Sequence, residues 1–158
     1  MHNVKRVYQP GGFYFVTAVT YLRKPILTDN FDLFWAAWRR QKLLAWVLLP
    51  DHFHAMLIPV EGNISQVIHR FKITFARAYR DQFGGGRVWQ NRYWDHVIRD
   101  ERDYKQHLDY IHYNPVKHQQ AEIPLNYEYS SFHRYLARGY YDQQWAHLRL
   151  EPKAEFGE

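Results

Sequence analysis

Two histidines, His52 and His54, are separated by a single residue, a spacing that could hold a metal ion. On a β-strand, residues i and i+2 point to the same face, with their Cα atoms ~7 Å apart. Two imidazoles on one face can bind the same divalent ion, while Phe53 between them points into a core. In a chain of 158 residues with ten histidines, about 0.6 such triplets are expected by chance, so the pattern alone has little weight. Its place directly after the Pro50-Asp51 turn of a predicted hairpin favours the metal-binding interpretation.

Tyr110 and Asn114 form a second candidate group near the end of a predicted helix. They lie one helical turn apart and therefore share a face. A tyrosine phenol with the usual pKa of ~10 is a weak nucleophile, but a nearby metal or base can activate it. The amide oxygen of Asn114 could be a third metal ligand beside two histidines, and such an ion keeps open positions for a phosphate. The alternative is that Tyr110, one of 13 tyrosines, simply packs in the core.

The strands and helices that must position these groups follow from the spacing of apolar residues. Strands are predicted over residues 12–20, 43–49 and 52–58, with a fourth inside 89–99. Helices are predicted from residue 31, from an Asn63/Gln66 capping box, and from Asp100 to Pro115, where proline ends the helix. The order β-α-β-β-α-β-α is typical of an α+β fold, ferredoxin-like or RRM-like, with a central antiparallel sheet.

The length and composition predict one domain without disulfides. Residues 1–120 are expected to form the domain, and residues 121–158 a C-terminal tail that packs on it, with a short helix over 130–137 and a flexible acidic end. The sequence has no cysteine, which excludes disulfides, Cys-ligated zinc, iron–sulfur clusters and a thiol nucleophile. We find no signal-peptide pattern, and the longest apolar run, residues 43–49, is shorter than the ~20 residues that cross a bilayer. A soluble cytoplasmic protein is expected.

Positive charge is concentrated in one segment. The chain has a net charge of +5. Residues 64–92 contain six lysines and arginines against Asp81 alone, so this segment carries the whole excess. Such clustering around one helix is typical of a surface that contacts a phosphate backbone, and a merely solvated helix face is the alternative. We expect this segment to lie next to the candidate site.

Three segments together resemble the REP-associated tyrosine transposases. These are single-tyrosine HUH nucleases related to the transposases of the IS200/IS605 insertion-sequence group. The segments are WVLLPDHFHAMLIP (46–59), VWQNRYWDHVIRD (88–100) and DYIHYNPVKH (109–118), and the later SSFHRYLARGYY (130–141) is also similar to that family. The resemblance extends to about Trp145 with matching order and spacing, and it implies the HUH endonuclease fold. One departure is Gln119, which stands where relatives often have a glycine that favours a left-handed conformation.

The resemblance implies a role for each candidate residue. His52 and His54 match the HUH histidines, Asn114 the additional metal-coordinating position, and Tyr110 the nucleophile. The implied activity is site-specific cleavage and transfer of single-stranded DNA at REP-type hairpins, with Mg²⁺ or Mn²⁺ and a 5′-phosphotyrosine intermediate. A monomer is the implied oligomeric state, with a dimer as the alternative.

Contacts with the DNA are also implied. Phosphates would be held by six cationic residues: Arg70, Arg77, Arg80, Arg92, Arg99 and Lys117. Unpaired bases could stack on four aromatic residues, of which core packing should claim at least half: Trp89, Tyr93, Trp94 and Tyr113. A rival function is a non-catalytic, RRM-like protein that binds single-stranded nucleic acid, in which the histidine pair would be incidental.

Overall fold

In the described part of the chain, four strands form one antiparallel sheet. In the computed structural model, which describes residues 11–149, the strands are β1 (Tyr14–Val19), β2 (Leu43–Leu48), β3 (His52–Leu57) and β4 (Trp94–Val97). They lie in the order β2-β3-β1-β4, and each neighbouring pair is antiparallel. This is the strand order of a ferredoxin-like sheet, so the predicted fold class is confirmed.

Between residues 11 and 149, three longer α-helices cover the sheet and two short ones follow. They are α1 (Phe31–Trp38), α2 (Ile64–Phe83), α3 (Glu101–Lys117), α4 (Phe132–Ala137) and α5 (Gln143–Ala146). Helix α2 begins at the predicted capping box, in which Asn63 Oδ1 accepts from the Gln66 N–H and Gln66 Oε1 accepts from the Asn63 N–H. Helix α3 begins after Asp100, whose carboxylate accepts from the N–H of Asp103. Both caps satisfy N–H groups that the first helical turn leaves without partners.

Strand alternation sends different side chains to the two faces of the sheet. Phe53 of β3 and the even-numbered residues 14, 16 and 18 of β1 pack with α1 and α2. Phe15 of β1 and Met56 of β3 pack with α3 and the segment that follows it. Because side chains alternate with a period of two, His52 and His54 share the α3 face. The predicted separation of Phe53 from the two histidines is therefore observed.

The segment after α3 packs against the α3 face. The N–H of Ser131 donates to Trp46 O at 2.9 Å, and the N–H of Leu48 donates to Tyr129 O at 2.9 Å. The ring of Phe132 is fully buried, and Tyr141 is nearly so. The short helix predicted over 130–137 is present as α4. The expected flexible acidic end falls within residues 150–158, outside the described residues, and the domain boundary at residue 120 stays a prediction.

Helix α3 does not end at Pro115, contrary to the prediction. It continues to Lys117. Proline removes one N–H from the helical ladder. The following turn still closes, because the N–H of His118 donates to Asn114 O at 3.0 Å and that of Gln120 to Pro115 O at 2.8 Å. Gln119 then adopts a positive φ of 57°, so the left-handed position is kept without glycine.

Within residues 11–149, no helix has both the length and the apolar character needed to cross a membrane.

Candidate active site

His52 and His54 lie side by side in the floor of the site. Both are buried, and their ring centroids are 5.1 Å apart. Nδ1 of His52 donates to Asp51 Oδ1 at 2.7 Å, and this hydrogen bond is the main reason why the pKa of Asp51 is lowered. Nε2 of His52 is buried without a hydrogen-bond partner among the described residues. A buried polar atom left in this way is expected where a ligand binds.

His54 is held by a hydroxyl on the neighbouring strand. Thr17 of β1 pairs with His54 in the sheet register, and Thr17 Oγ1 lies 2.6 Å from His54 Nδ1. Contacts at Nδ1 make Nε2 the candidate ligand atom in both histidines. This arrangement, in which a second residue orients each imidazole, is common around metal-binding histidines.

Helix α3 brings Tyr110 to this floor. The Tyr110 ring is 5.2 Å from the His54 ring, and the side chain is almost fully buried. Nζ of Lys117, two turns further along α3, donates to the Tyr110 hydroxyl at 3.3 Å and lies 5.0 Å from the ring centroid. Asn114, one turn from Tyr110, is buried on the same helix. The structure thus brings together Tyr110, Lys117 and the two histidines, with Asn114 on the adjacent turn.

A cleft of about 300 Å³ opens beside His52. Its walls include Arg23, Asp51, His52 and His118. The His118 ring is 4.7 Å from the His52 ring, and the Arg23 guanidinium donates to Asp51 Oδ2 at 3.2 Å. The cleft gives solvent and ligands a route to the buried imidazole.

Four of the six cationic residues of the basic segment lie on helix α2, which is not next to this site, contrary to expectation. Residues 88–90, by contrast, run beside the end of β1, where Val19 pairs with His52. Helix α2, which carries Arg70, Arg77 and Arg80, packs on the face of the sheet opposite α3. All three arginines are exposed, and the Arg70 guanidinium donates to Glu61 O. The spacing of charges along a helix shows which residues share a face, but it does not show which side of the sheet that helix will cover. Of the six cationic residues, Lys117 touches Tyr110.

The four candidate stacking residues differ in their exposure to solvent. Trp89 and Tyr113 are buried, and Tyr93 is partly buried against the core that includes α1 and α2. Trp94 is 38% exposed. The expectation that core packing claims at least half of them is confirmed.

A second cluster of polar residues joins β4 to α3. Ligand atoms of His96, Asp103 and His107 lie within 4.8 Å of one another, which makes the cluster a possible metal site. The Asp103 carboxylate accepts from His96 Nε2 at 2.8 Å and from the Arg99 N–H at 3.0 Å. Burial opposes ionisation of Asp103, but these bonds outweigh it and lower its pKa to about 2. These hydrogen bonds explain the cluster structurally, because they connect β4 to α3.

Asp51, Thr17 and His118 were not identified from the sequence. Asp51 was interpreted only as a turn residue, although its position next to His52 was a usable signal. Thr17 is 37 residues from His54, and only the β1–β3 register brings them together. His118 reaches His52 because α3 continues past Pro115.

Comparison with known proteins identifies relatives of this chain. The family model described as Transposase IS200 like matches residues 16–114. A REP-associated tyrosine transposase of Escherichia coli is 35% identical over 92% of this chain and 92% of its own length. A curated relative from Haemophilus influenzae is also 35% identical, over 92% of this chain and 93% of its own. The solved structure of a REP-associated tyrosine transposase bound to a REP hairpin matches with a TM-score of 0.84 at 33% identity, covering 100% of this chain and 98% of that one.

Proposed function

We propose a specific reaction for this chain, which belongs to the IS200-like transposase family and is therefore a DNA-cleaving and DNA-transferring enzyme. The proposed substrate is single-stranded DNA beside a REP-type hairpin, the DNA named for the similar solved structure. The proposed nucleophile is Tyr110. The observation that carries this proposal is the packing of Tyr110 against His54, with Lys117 donating a hydrogen bond to the Tyr110 hydroxyl.

The reaction exchanges one phosphodiester for another. The Tyr110 hydroxyl oxygen attacks the phosphorus, and a bond to the tyrosine forms as the bond to the 3′ oxygen breaks. The phenol proton is balanced by the proton that the released 3′-hydroxyl gains. The 5′-phosphotyrosine keeps the energy of the broken linkage, so a 3′-hydroxyl of another strand can reverse the step and join the DNA. Lys117 places a positive charge where the phenol oxygen and the phosphate meet.

The residues around Tyr110 fit a divalent metal, Mg²⁺ or Mn²⁺. Its ligands would be His52, His54 and Asn114, a set of two imidazole nitrogens and one amide oxygen. The buried Nε2 of His52 supports this assignment, as do the contacts of Asp51 and Thr17 with the imidazoles. When bound, the ion supplies positive charge that polarises the phosphate.

Metal binding can be tested by titrating the protein with Mn²⁺. The electron-paramagnetic-resonance signal of free Mn²⁺ decreases as the ion binds, so this signal measures the affinity. His52→Ala and His54→Ala should abolish tight binding. The matched control is His69→Ala, which changes an exposed histidine on α2. Equal binding by the wild type and both site variants would overturn the assignment.

The exposed arginines of α2 are proposed to bind the DNA away from the cut. Arg77 and Arg80 lie across the sheet from Tyr110, so they can contact only DNA that extends around the molecule. Arg92 and Arg99 flank β4, which is an edge strand. The Arg92 carbonyl accepts from Lys72 of α2, and Arg99 donates to Asp103 of α3. Each phosphate contact removed should lower the slope of log affinity against log salt by about 1. If Arg77→Ala and Arg80→Ala both leave this slope unchanged, these residues do not contact phosphates of the DNA.

The site also supports a monomer as the active form. Tyr110 contacts His54 of its own chain, so no second copy is needed to complete the group. Sedimentation during the cleavage assay should show a single chain, and activity that increases with the square of protein concentration would contradict a monomer.

The nucleophile is tested by trapping the covalent product. Wild-type protein with Mn²⁺ and a REP hairpin should form a DNA–protein adduct that resists denaturation. Tyr110→Phe should bind the hairpin without forming the adduct, whereas Tyr104→Phe, another tyrosine of α3, should behave like the wild type. A wild-type protein that binds DNA but never forms an adduct would favour the non-catalytic, RRM-like alternative.

A further inference from the structure

Trp94 is an exposed aromatic residue on the face of the sheet that carries Tyr110. Its indole is 38% exposed. In the sheet register Trp94 pairs with Thr17, and Thr17 pairs with His54, so the three residues form one row across β4, β1 and β3. With neighbouring strands ~4.8 Å apart, Trp94 stands about 10 Å from His54 along that row.

Other aromatic rings hold the indole in place. The His96 ring is nearly parallel to Trp94, at 5.9 Å and 12°, and the His107 ring is parallel to His96, at 4.7 Å and 12°. His96 is in turn held by Asp103 at 2.8 Å. A ring fixed before a ligand arrives loses little conformational entropy on binding, which favours its use as a binding surface.

Phe15 connects this surface to the candidate nucleophile. The Phe15 ring lies 5.6 Å from Trp94, 5.4 Å from His54 and 6.2 Å from Tyr110. Apolar rings therefore run without a break from the buried site to the exposed indole. A DNA strand whose phosphate lies at Tyr110 would pass over this surface if it continued towards β4.

We propose that Trp94 is a stacking site for an unpaired base of the DNA strand that Tyr110 cleaves. The inference rests on the proposed function. Every nucleobase has a π-face, so an exposed indole favours a single-stranded segment without fixing the identity of the base. The other three aromatic candidates are buried or packed against the core, and Trp94 has both the exposure and the position that a stacking surface needs.

The experiment combines protein variants with DNA that lacks single bases. The probe is a REP hairpin with single-stranded extensions, in which each unpaired position is replaced in turn by an abasic site. Binding is measured for the wild type, Trp94→Ala, Trp94→Phe and Phe83→Ala. Phe83 is a 59% exposed aromatic residue at the end of α2 and serves as the matched control. Thermal melting shows that each variant is folded.

The proposal predicts one abasic position with a distinctive result. An abasic site at that position should lower the affinity of the wild type by about tenfold or more. Trp94→Ala should lower the affinity for intact DNA by a similar factor. Combining the variant with that abasic site should add no further loss, because both remove the same contact. Trp94→Phe should retain part of the affinity, and Phe83→Ala all of it.

Two results would overturn the stacking site. The first is that Trp94→Ala binds every probe with the same affinity as Phe83→Ala. The second is that the affinity lost in Trp94→Ala adds to the affinity lost at every abasic position, without exception. The outcome is separable from that of the proposed function. Base-dependent binding through Trp94 without adduct would contradict the chemistry alone, whereas a normal adduct without dependence on Trp94 would contradict the stacking site alone.

Discussion

On the face of the sheet that packs against α1 and α2, Phe53 contacts the rings of Phe34 and Phe71 at centroid distances of 5.3 and 5.2 Å. On the opposite face, its chain neighbours His52 and His54 are equally buried, yet their partners are a carboxylate and a hydroxyl. Burying polar groups costs free energy unless each is bonded. Both faces carry an apolar core, but around Phe53 the first face holds only apolar rings, whereas at His52 and His54 the second face holds buried polar groups, which we attribute to chemistry. The first experiment below compares the two faces, and the others test residues of α3 and of the turn that follows it.

The largest contrast is expected between Phe53→Ala and His54→Ala. Loss of a fully buried phenylalanine should lower the free energy of unfolding by about 3–5 kcal/mol. His54→Ala should abolish the DNA–protein adduct with a smaller loss of stability, since it removes fewer apolar contacts. Urea unfolding and the adduct assay together measure both effects. If His54→Ala retained the adduct, the assignment of chemistry to the α3 face would fail.

A second test concerns Asp103, which tethers β4 to α3. Its pKa in the folded protein is lowered to about 2, so its stabilising effect is full above pH ~4 and disappears as the pH falls towards 2. Asp103→Asn should therefore lower the free energy of unfolding by about 2 kcal/mol at pH 7. The loss should shrink when unfolding is measured at pH 3. An equal loss at both pH values would show that the carboxylate charge is not what stabilises the tether.

His112 gives an effect of similar size with a different pH range. Its ring is fully buried between Tyr141 and Ser131, and burial is the main cause that lowers its pKa to about 3. The unfolded chain takes up the proton near pH 6.5 and the folded chain does not, so stability falls as the pH drops below 6.5. This residue should account for about 2 kcal/mol of lost stability between pH 7 and pH 5.

The variant His112→Gln should be less stable than the wild type at pH 7. Its free energy of unfolding should fall less than that of the wild type between pH 7 and pH 5. Urea unfolding at both pH values compares the two proteins. The same pH dependence in both would mean that another group takes up the proton.

The smallest effect is expected at Gln119. Its φ of 57° is disfavoured for residues with a Cβ, so Gln119→Gly should raise the free energy of unfolding by at most about 1 kcal/mol. The adduct rate should remain unchanged if the turn shape is already correct. A change in that rate would show that the end of α3 helps to position Lys117 or Asn114.

Much of the fold was predictable because it depends on local patterns. The β3 alternation HFH separates a core ring from two imidazoles, and the Asn63/Gln66 capping box marks the start of α2. Both signals lie within a few residues. The end of α3 was predicted wrongly because the rule for proline considers one lost hydrogen bond, whereas the packing of the surrounding turn decides whether the helix continues.

Of the residues that the structure places at the candidate site, only the chemically distinctive ones could be named from the sequence. The types and spacing of His52, His54, Tyr110 and Asn114 were informative together with the family resemblance. Thr17 was not, because a threonine in a strand has no special pattern and gains its role from the register of β1 with β3. The predicted position of the α2 arginines was wrong for a related reason. A charged helix face does not show on which side of the sheet the helix packs.

We propose that Tyr110, on the α3 face, forms the covalent bond to DNA. Mass spectrometry of the protease-digested adduct tests this assignment, because it identifies the residue that carries the nucleotide. We expect a single modified peptide, with the nucleotide on Tyr110 among the 13 tyrosines of the chain. A nucleotide on any other residue would contradict it.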